Sequence, residues 1–263
     1  MNKLIQCEAL EGLADLAPAS IPLVVTSPPW GNTRLFGGNV FDFKPVASEL
    51  WRVIEPGGVV CWHHQDQIEN GSESCEHCHQ LLFFERLGFR RHQTITVVYH
   101  KYRPTPRRYY RVSSQVYVLS KGSPRNFVPL YDVRNTKAGS QVDMKLRDKD
   151  GLSRRRMFRV TEEIGYRGDV WEYLTGWMKM CEDQAAYEHG AVMHLDLARD
   201  LIRSYSRSGT LVLDVCAGTG TTGVAALMTG RQYLLFEPWD KAVGHAERRL
   251  ANAIRKMCES VAS

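Results

Sequence analysis

Thr26-Ser27-Pro28-Pro29-Trp30 constrains this chain more than any other stretch. It follows the apolar run Ile21 to Val25, which reads as a short buried strand. Two consecutive prolines lack backbone donors and have a fixed φ, so they neither continue a strand nor enter a helix interior. The chain must therefore leave the sheet here in a stiff, extended turn. Open α/β sheets place ligands at the carboxyl ends of their strands. A turn at that end would hold a hydroxyl, free backbone carbonyls and a large aromatic ring at the rim of a pocket. Such a set can accept hydrogen bonds from an amino group while a flat ring stacks on Trp30. A strand end with an exposed tryptophan is the competing reading, and the tetrapeptide alone does not separate the two.

A second stretch far along the chain shifts the balance. Leu211-Val212-Leu213-Asp214-Val215-Cys216-Ala217-Gly218-Thr219-Gly220-Thr221-Thr222 reads as a strand ending in an acid, then a glycine turn into a helix. Glycines let a ligand approach the backbone closely, and a helix N-terminus offers unpaired N–H groups. The G-x-G-x-x-G fingerprint is absent and no G-K-[ST] follows, so the stretch matches neither a dinucleotide site nor a Walker loop. Glu237 stands at the end of the next strand, about 20 residues on, where a carboxylate reaches ribose hydroxyls in doubly wound folds. Trp239 is placed to cover an adenine ring.

Between these stretches, strands and helices alternate. Strands are expected at Lys3 to Gln6, Val59 to Trp62, Thr94 to Tyr99, Val112 to Leu119, Thr210 to Val215 and Gln232 to Phe236. Helices are expected at Ala9 to Leu16, Phe41 to Val53, Ser74 to Leu87, Leu195 to Tyr205, Thr222 to Leu227 and Lys241 to Met257. Pro56-Gly57-Gly58 reads as the turn between helix and strand, and Gly31 to Gly38 as a mobile loop beside the pocket. The pattern predicts an α/β fold with a mostly parallel sheet and helices on both faces. Lys121 to about Gly168 lacks apolar periodicity and is rich in charge, so a loop-rich insert is expected there.

Bulk properties exclude several classes. No apolar run approaches the roughly 20 residues of a membrane span. Met1 to Gln6 lacks the long apolar core of a signal peptide, so a cytoplasmic location is expected. Seven cysteines argue for reduced thiols rather than a disulfide framework. A net charge of +5 is compatible with nucleic acid without proving it.

Taken in order, these stretches resemble the amino-directed DNA methyltransferases that use S-adenosylmethionine. Ser27-Pro28-Pro29-Trp30 is similar to that family's catalytic [D/N/S]-P-P-[Y/F/W] tetrapeptide. Asp214 to Thr222 resembles its F-x-G-x-G cofactor motif, with Cys216 where phenylalanine is usual. The catalytic motif comes first, which is the permuted β-class order. Cys7-Glu8-Ala9-Leu10 resembles G-D-A-L, Leu50 to Gly58 resembles the R-V-L-K-P-G-G turn, and His189 to His194 resembles H-P-A-x-x-P without its prolines.

The resemblance implies a Rossmann-like class I methyltransferase fold with a seven-stranded sheet. It implies a catalytic half at 1–122, a target-recognition insert at 123–168 and a cofactor half at 169–263. Ser27, Pro28, Pro29 and Trp30 would be catalytic. Glu8, Thr26, His189, Ala191, Asp214 and Cys216 would meet the cofactor, with Ala217, Gly218, Thr219, Gly220, Thr221, Thr222, Glu237 and Trp239. Arg103, Arg107, Arg108 and Arg111, with Arg154, Arg155 and Arg156 of the insert, would bind DNA, although a basic run also suits a solvated face. Double-stranded DNA is the implied partner, with room for a restriction endonuclease counterpart. A monomer or weak homodimer is expected.

Serine at the head of the tetrapeptide is typical of members acting on cytosine N4, whereas aspartate is typical of adenine N6 enzymes. The target base leaves the stack at a cost of a few kcal/mol. Ser27 Oγ and the Pro28 carbonyl would accept from the amino group and aim its lone pair, and transfer would be direct. Cytosine C5 methylation is excluded, since that chemistry uses a Pro-Cys nucleophile and no cysteine here follows a proline. Cys75-Glu76-His77-Cys78-His79, with His63-His64 upstream, invites a zinc reading but lacks a second ligand pair at a finger-like spacing, so no metal is expected. The alternatives are adenine N6 methylation, an idle DNA-binding relative, and methylation of RNA or a protein amide.

Overall fold

The computed structural model describes residues 2–30, 41–100, 105–176, 178–181 and 183–262. The glycine-rich stretch Gly31 to Gly38 and Arg103 lie outside them. Contacts divide the chain into a unit of Met1–Val128 with Asp169–Ser263, and a unit of Pro129–Gly168.

In chain order the first unit runs β1 (Lys3–Ile5), α1 (Ala9–Ala14), β2 (Ile21–Thr26), α2 (Phe43–Val53), β3 (Ile54–His64), β4 (Ile68–Glu69), β5 (Ser72–Glu73), α3 (Glu76–Leu87), β6 (Arg90–Tyr99) and β7 (Ser113–Ser120). The second unit contributes β8 (Tyr131–Arg134), β9 (Gln141–Arg147), β10 (Ser153–Arg159) and β11 (Ile164–Tyr166). The first unit resumes with β12 (Val170–Tyr173), a 3-10 turn (Gln184–His189), α4 (Leu195–Tyr205), β13 (Leu211–Asp214), α5 (Thr221–Met228), β14 (Gln232–Phe236) and α6 (Asp240–Ala262).

The main sheet has the order β1-β14-β13-β2-β3-β7-β6-β12. Every neighbouring pair is parallel except the two that involve β7. It has eight strands, one more than expected, because Val170–Tyr173 adds to the free edge of β6. From the β2–β13 junction the order steps outward in both directions. Right-handed crossovers then put α2 and α5 on opposite faces, so α1, α2 and α3 pack as one group and α4, α5 and α6 as another. Leu50, Trp62, Phe84 and Phe236 fill the core on the α2 side.

Two local expectations change. Pro56-Gly57-Gly58 does not precede the strand but lies inside β3. There the register jumps from Ile21↔Ile54 to Leu23↔Val59, a bulge that Gly57 permits with φ +81°. The segment expected to be loop-rich is instead two antiparallel ladders, β9–β10 and β8–β11. Val142, Met144 and Leu146 alternate with charged or polar residues, which is a strand period carried by an exposed ribbon.

Candidate active site

The strands that carry the two motifs are neighbours, with Leu23 opposite Val212 and Val24 opposite Leu213. Their carboxyl ends meet where the strand order reverses, the place open sheets keep for ligands. Thr26 Oγ1 donates to Asp214 Oδ1 at 2.7 Å, across 188 positions of sequence. The same carboxylate accepts Cys216 N–H at 3.0 Å and the Thr222 hydroxyl at 2.6 Å. Burial raises the Asp214 pKa, and these three bonds oppose the rise.

The glycine turn is held from two sides. Glu237, at the end of β14, accepts Gly218 N–H at 2.7 Å and Trp239 N–H at 3.0 Å. Its pKa is raised, first by burial, while those two bonds lower it and Asp214 and Glu8 push it up again. Arg249 from α6 reaches the Thr219 carbonyl and hydroxyl, both at 2.7 Å, and the Thr221 hydroxyl at 3.0 Å. Arg249 escaped the sequence reading. Its one signal is a charge set into the buried stripe Ala242, Ala246 and Leu250.

A cavity of about 500 Å³ opens at this rim. Its wall brings together Ser27, Pro28, Pro29 and Trp30 with Glu8, His189, Ala191, Asp214, Cys216, Ala217, Gly218, Thr219, Thr221, Thr222 and Glu237. Three residues expected at the cofactor are not among those of the wall. Thr26 is fully buried behind the wall, bonded to Asp214. Gly220 caps α5 with φ +77°, and a Cβ there would lie 3.0 Å from Ala246 Cβ, so this glycine serves helix packing. Trp239 packs on the His189 ring, with centroids 5.3 Å apart, and does not itself wall the cavity.

Gly218 has φ +52°, a conformation that favours glycine, and a Cβ added there would meet the His189 ring at 3.6 Å. His189 Nδ1 pairs with the Ala191 carbonyl at 2.9 Å. On the other side the wall includes His63, Gln65, Tyr99 and Arg111, none of them foreseen as pocket residues. Trp30 Nε1–H donates to the His63 carbonyl at 3.3 Å.

The basic residues separate. Arg107 is exposed. Arg108 donates to the Gly71 carbonyl at 2.7 Å, and Arg111 binds the Asp66 carbonyl and the Glu73 carboxylate. Both brace the β4–β5 hairpin through these bonds, while Arg108 stays exposed. The Arg154-Arg155-Arg156 run lies on β10, where successive side chains alternate faces. Arg154 and Arg156 share a face with Val142, Met144, Leu146 and Phe158, whereas Arg155 shares the other with Lys145, Arg147 and Arg159. Arg154 pairs with Asp148 at 2.7 Å. Residues 129–168 hold ten Lys and Arg against six Asp and Glu, so they carry +4 of the chain's +5.

Cys75 sits in a left-handed conformation before α3, and Cys78 Sγ lies 3.3 Å from His77 Nε2. Among the described residues no group of three or more His, Cys, Asp or Glu could hold a metal ion. No described helix is long and apolar enough to cross a membrane.

With this geometry in place, comparison with known proteins is specific. A family model described as DNA methylase matches residues 21–248. The chain is 34% identical over 246 residues to the orphan methyltransferase M.BamHII of Bacillus amyloliquefaciens, covering 91% of this chain and 92% of the relative. It is 26% identical over 262 residues to the type II methyltransferase M.MthZI of Methanothermobacter thermautotrophicus, covering 85% and 69%. Among solved structures it resembles the PvuII cytosine-N4-specific DNA methyltransferase, with a TM-score of 0.68 at 18% identity over 94% of this chain and 86% of that one. A Thermus thermophilus protein crystallised with S-adenosyl-L-methionine has a TM-score of 0.63 at 24% identity, over 97% and 96%.

Proposed function

We propose, on the premise that this chain belongs to the N6/N4 DNA methylase family, that it moves a methyl group from S-adenosylmethionine to the N4 amino group of a flipped cytosine in double-stranded DNA. The observation that carries this reading is the Thr26–Asp214 hydrogen bond, which ties the ends of the two motif strands at one cavity. At about 500 Å³ the cavity lies within the roughly 300–1,000 Å³ usual for ligand sites.

The donor set suits the cofactor. The Glu237 carboxylate stands in the wall beside Gly218, with lone pairs left for ribose hydroxyls. Glu8, His189, Ala191 and the turn from Cys216 to Thr219 complete that side. When bound, S-adenosylmethionine supplies an electrophilic methyl on a good leaving group, so no strong base is needed. The residues of β2 and its turn act on the other reactant. Ser27 Oγ and the Pro28 carbonyl accept the amino hydrogens and turn its lone pair towards the cofactor side. Trp30 replaces stacking lost on flipping, worth about 1–3 kcal/mol on an aromatic platform. Positioning thus supplies the acceleration, with no covalent intermediate.

Serine at position 27 and the likeness to a cytosine-N4-specific enzyme support N4 over adenine N6. The M.BamHII relative is named an orphan, and that likeness favours a chain that acts without the endonuclease counterpart for which the resemblance left room. Mass spectrometry of nucleosides from DNA incubated with the protein and S-adenosylmethionine tests the reading. N4-methylcytosine is expected. N6-methyladenine would move the target to the alternative base, and unmodified DNA would overturn the assignment.

A further inference from the structure

The target side of the cavity contains a buried polar group that this scheme leaves without work. β2 and β3 pair in parallel with Thr26 opposite Trp62. One position further on, Ser27 has left β2, whereas His63 is still inside β3 and paired with Val116 of β7. His63 is 3% exposed, yet it forms part of the cavity wall. Its ring stands at 89° to the Trp30 indole with centroids 5.3 Å apart. Nε2 lies 2.8 Å from Ser114 Oγ and 3.1 Å from the Tyr99 hydroxyl, and those two oxygens are 2.8 Å apart. Nδ1 is buried with no hydrogen-bond partner.

Counting protons in that triangle leaves two arrangements, each with one proton to place outside it. Burial and the neighbouring His64 push the His63 pKa down to about 3, so the ring is neutral. With Nε2 bare, one hydroxyl donates to the other, which donates to Nε2, and both hydroxyl protons are placed. A proton on Nε2 would leave one hydroxyl proton without an acceptor inside the triangle. In the first arrangement the ring proton sits on Nδ1, the buried nitrogen without a partner. A buried N–H without a partner is unfavourable, and native structures keep such groups where a ligand completes them.

We propose that His63 reads the target base, its Nδ1–H donating to the unprotonated ring nitrogen beside the amino-bearing carbon. That nitrogen is N3 in cytosine and N1 in adenine. Thymine and guanine carry hydrogen at the corresponding position and would meet Nδ1–H donor to donor. The proposal rests on the methyl-transfer reading for the presence of a flipped base, but it holds whichever amino base is the target.

Two substitutions separate reading from mere support, because the Asn amide overlays Nδ1 of histidine and the Gln amide overlays Nε2. On unmethylated bulk DNA, His63→Ala should lower kcat/KM for DNA about 10- to 100-fold with S-adenosylmethionine affinity unchanged. His63→Asn should recover most of that loss, and His63→Gln should stay as impaired as His63→Ala. Recovery by Gln and not Asn, or full activity in all three, overturns the proposal in favour of a structural role or none. An Asn variant that binds cofactor normally yet stays inactive also overturns it. Nitrogen-15 NMR of histidine-labelled wild-type protein needs no variant to fold, and should show His63 protonated at Nδ1 and bare at Nε2 near pH 7. The opposite tautomer ends the proposal. Failure of the wild type to methylate any DNA would instead sink the functional reading, while leaving the tautomer result to be read on the free protein.

Discussion

On the β13–β14 side of the rim, Asp214 takes three donors, Glu237 takes two, and Arg249 reaches three oxygens of the glycine turn. On the β2–β3 side, His63 Nδ1 and both ring nitrogens of His64 are buried without partners. Each unsatisfied buried group costs about 1–3 kcal/mol. The two sides therefore spend stability in opposite ways. One holds a turn rigid for a ligand of fixed shape that meets it directly. The other leaves His63 Nδ1 unpaired in a residue of the cavity wall, which His64 does not join. Fixed dipoles on the first side and open valences on the second suit a cofactor and a visiting base respectively.

Breaking the satisfied side should have the largest effect. Asp214→Ala strands the Thr26 hydroxyl and the Cys216 N–H and leaves the Thr222 hydroxyl only the Val25 carbonyl at 3.4 Å. A drop of about 3–5 kcal/mol is expected in denaturant unfolding, together with abolished cofactor binding by calorimetry. Near-wild-type stability and affinity would show that the carboxylate does not tie the two strand ends.

On the open side, Ser27→Ala should leave the fold and the cofactor affinity alone and cut kcat by roughly 10- to 100-fold, since it removes one polar contact to the reacting group. A Kd for S-adenosylmethionine that rises in step with the fall in kcat would blur the division between the sides.

Glu237 sharpens it through pH. Its pKa is raised, mainly by burial, so it takes up a proton at higher pH than an ordinary glutamate. The folded state then holds that proton more tightly than the unfolded chain, and the carboxylate's charge costs stability at neutral pH. Acidification through the raised pKa relieves this cost but removes an anionic acceptor from the cofactor site. Relative to Glu237→Gln, the wild type should gain stability and lose cofactor affinity as pH falls towards the carboxylate range. The variant should bind about tenfold more weakly at pH 7.5 with a flatter pH profile. Affinity that tracks pH equally in both proteins would remove Glu237 from the site.

What could be read beforehand was whatever local chemistry dictates. Two prolines after a buried run force a chain exit, and Gly218 before a helix exposes backbone, whatever the rest of the molecule does. Arg249 and His63 were not legible because their roles are set by partners far away in sequence, Thr219 for one and Ser114 for the other. Gly220 misled for a related reason. A glycine that admits a ligand and one that admits a helix look the same until Ala246 is seen against it. Thr26 was placed at the cofactor by its motif, but a single residue of depth behind Ser27 turned it towards Asp214. In the 129–168 unit the period of two was present at Val142, Met144 and Leu146, hidden by charge density normally read as loop.

The ribbon of that unit offers the finest test, because charge and position separate there. If it meets DNA, the face bearing Lys145, Arg147, Arg155 and Arg159 offers four cations against Asp143, while Arg154 on the opposite face is already held by Asp148. Arg155 is only loosely paired, 3.8 Å from Asp143. Every phosphate that the protein ceases to neutralise lowers the slope of log affinity against log salt by about 0.9. Arg155→Ala with Arg159→Ala should flatten that slope by nearly twice this amount and weaken binding several-fold at moderate salt. Arg154→Ala with Arg156→Ala should change it less, since one of those cations is occupied and both stand among Met144, Leu146 and Phe158. Equal slopes in the two double variants would show that the alternation of faces along β10 does not govern how the ribbon meets DNA. A larger change from Arg154 and Arg156 would turn the apolar face towards the duplex instead.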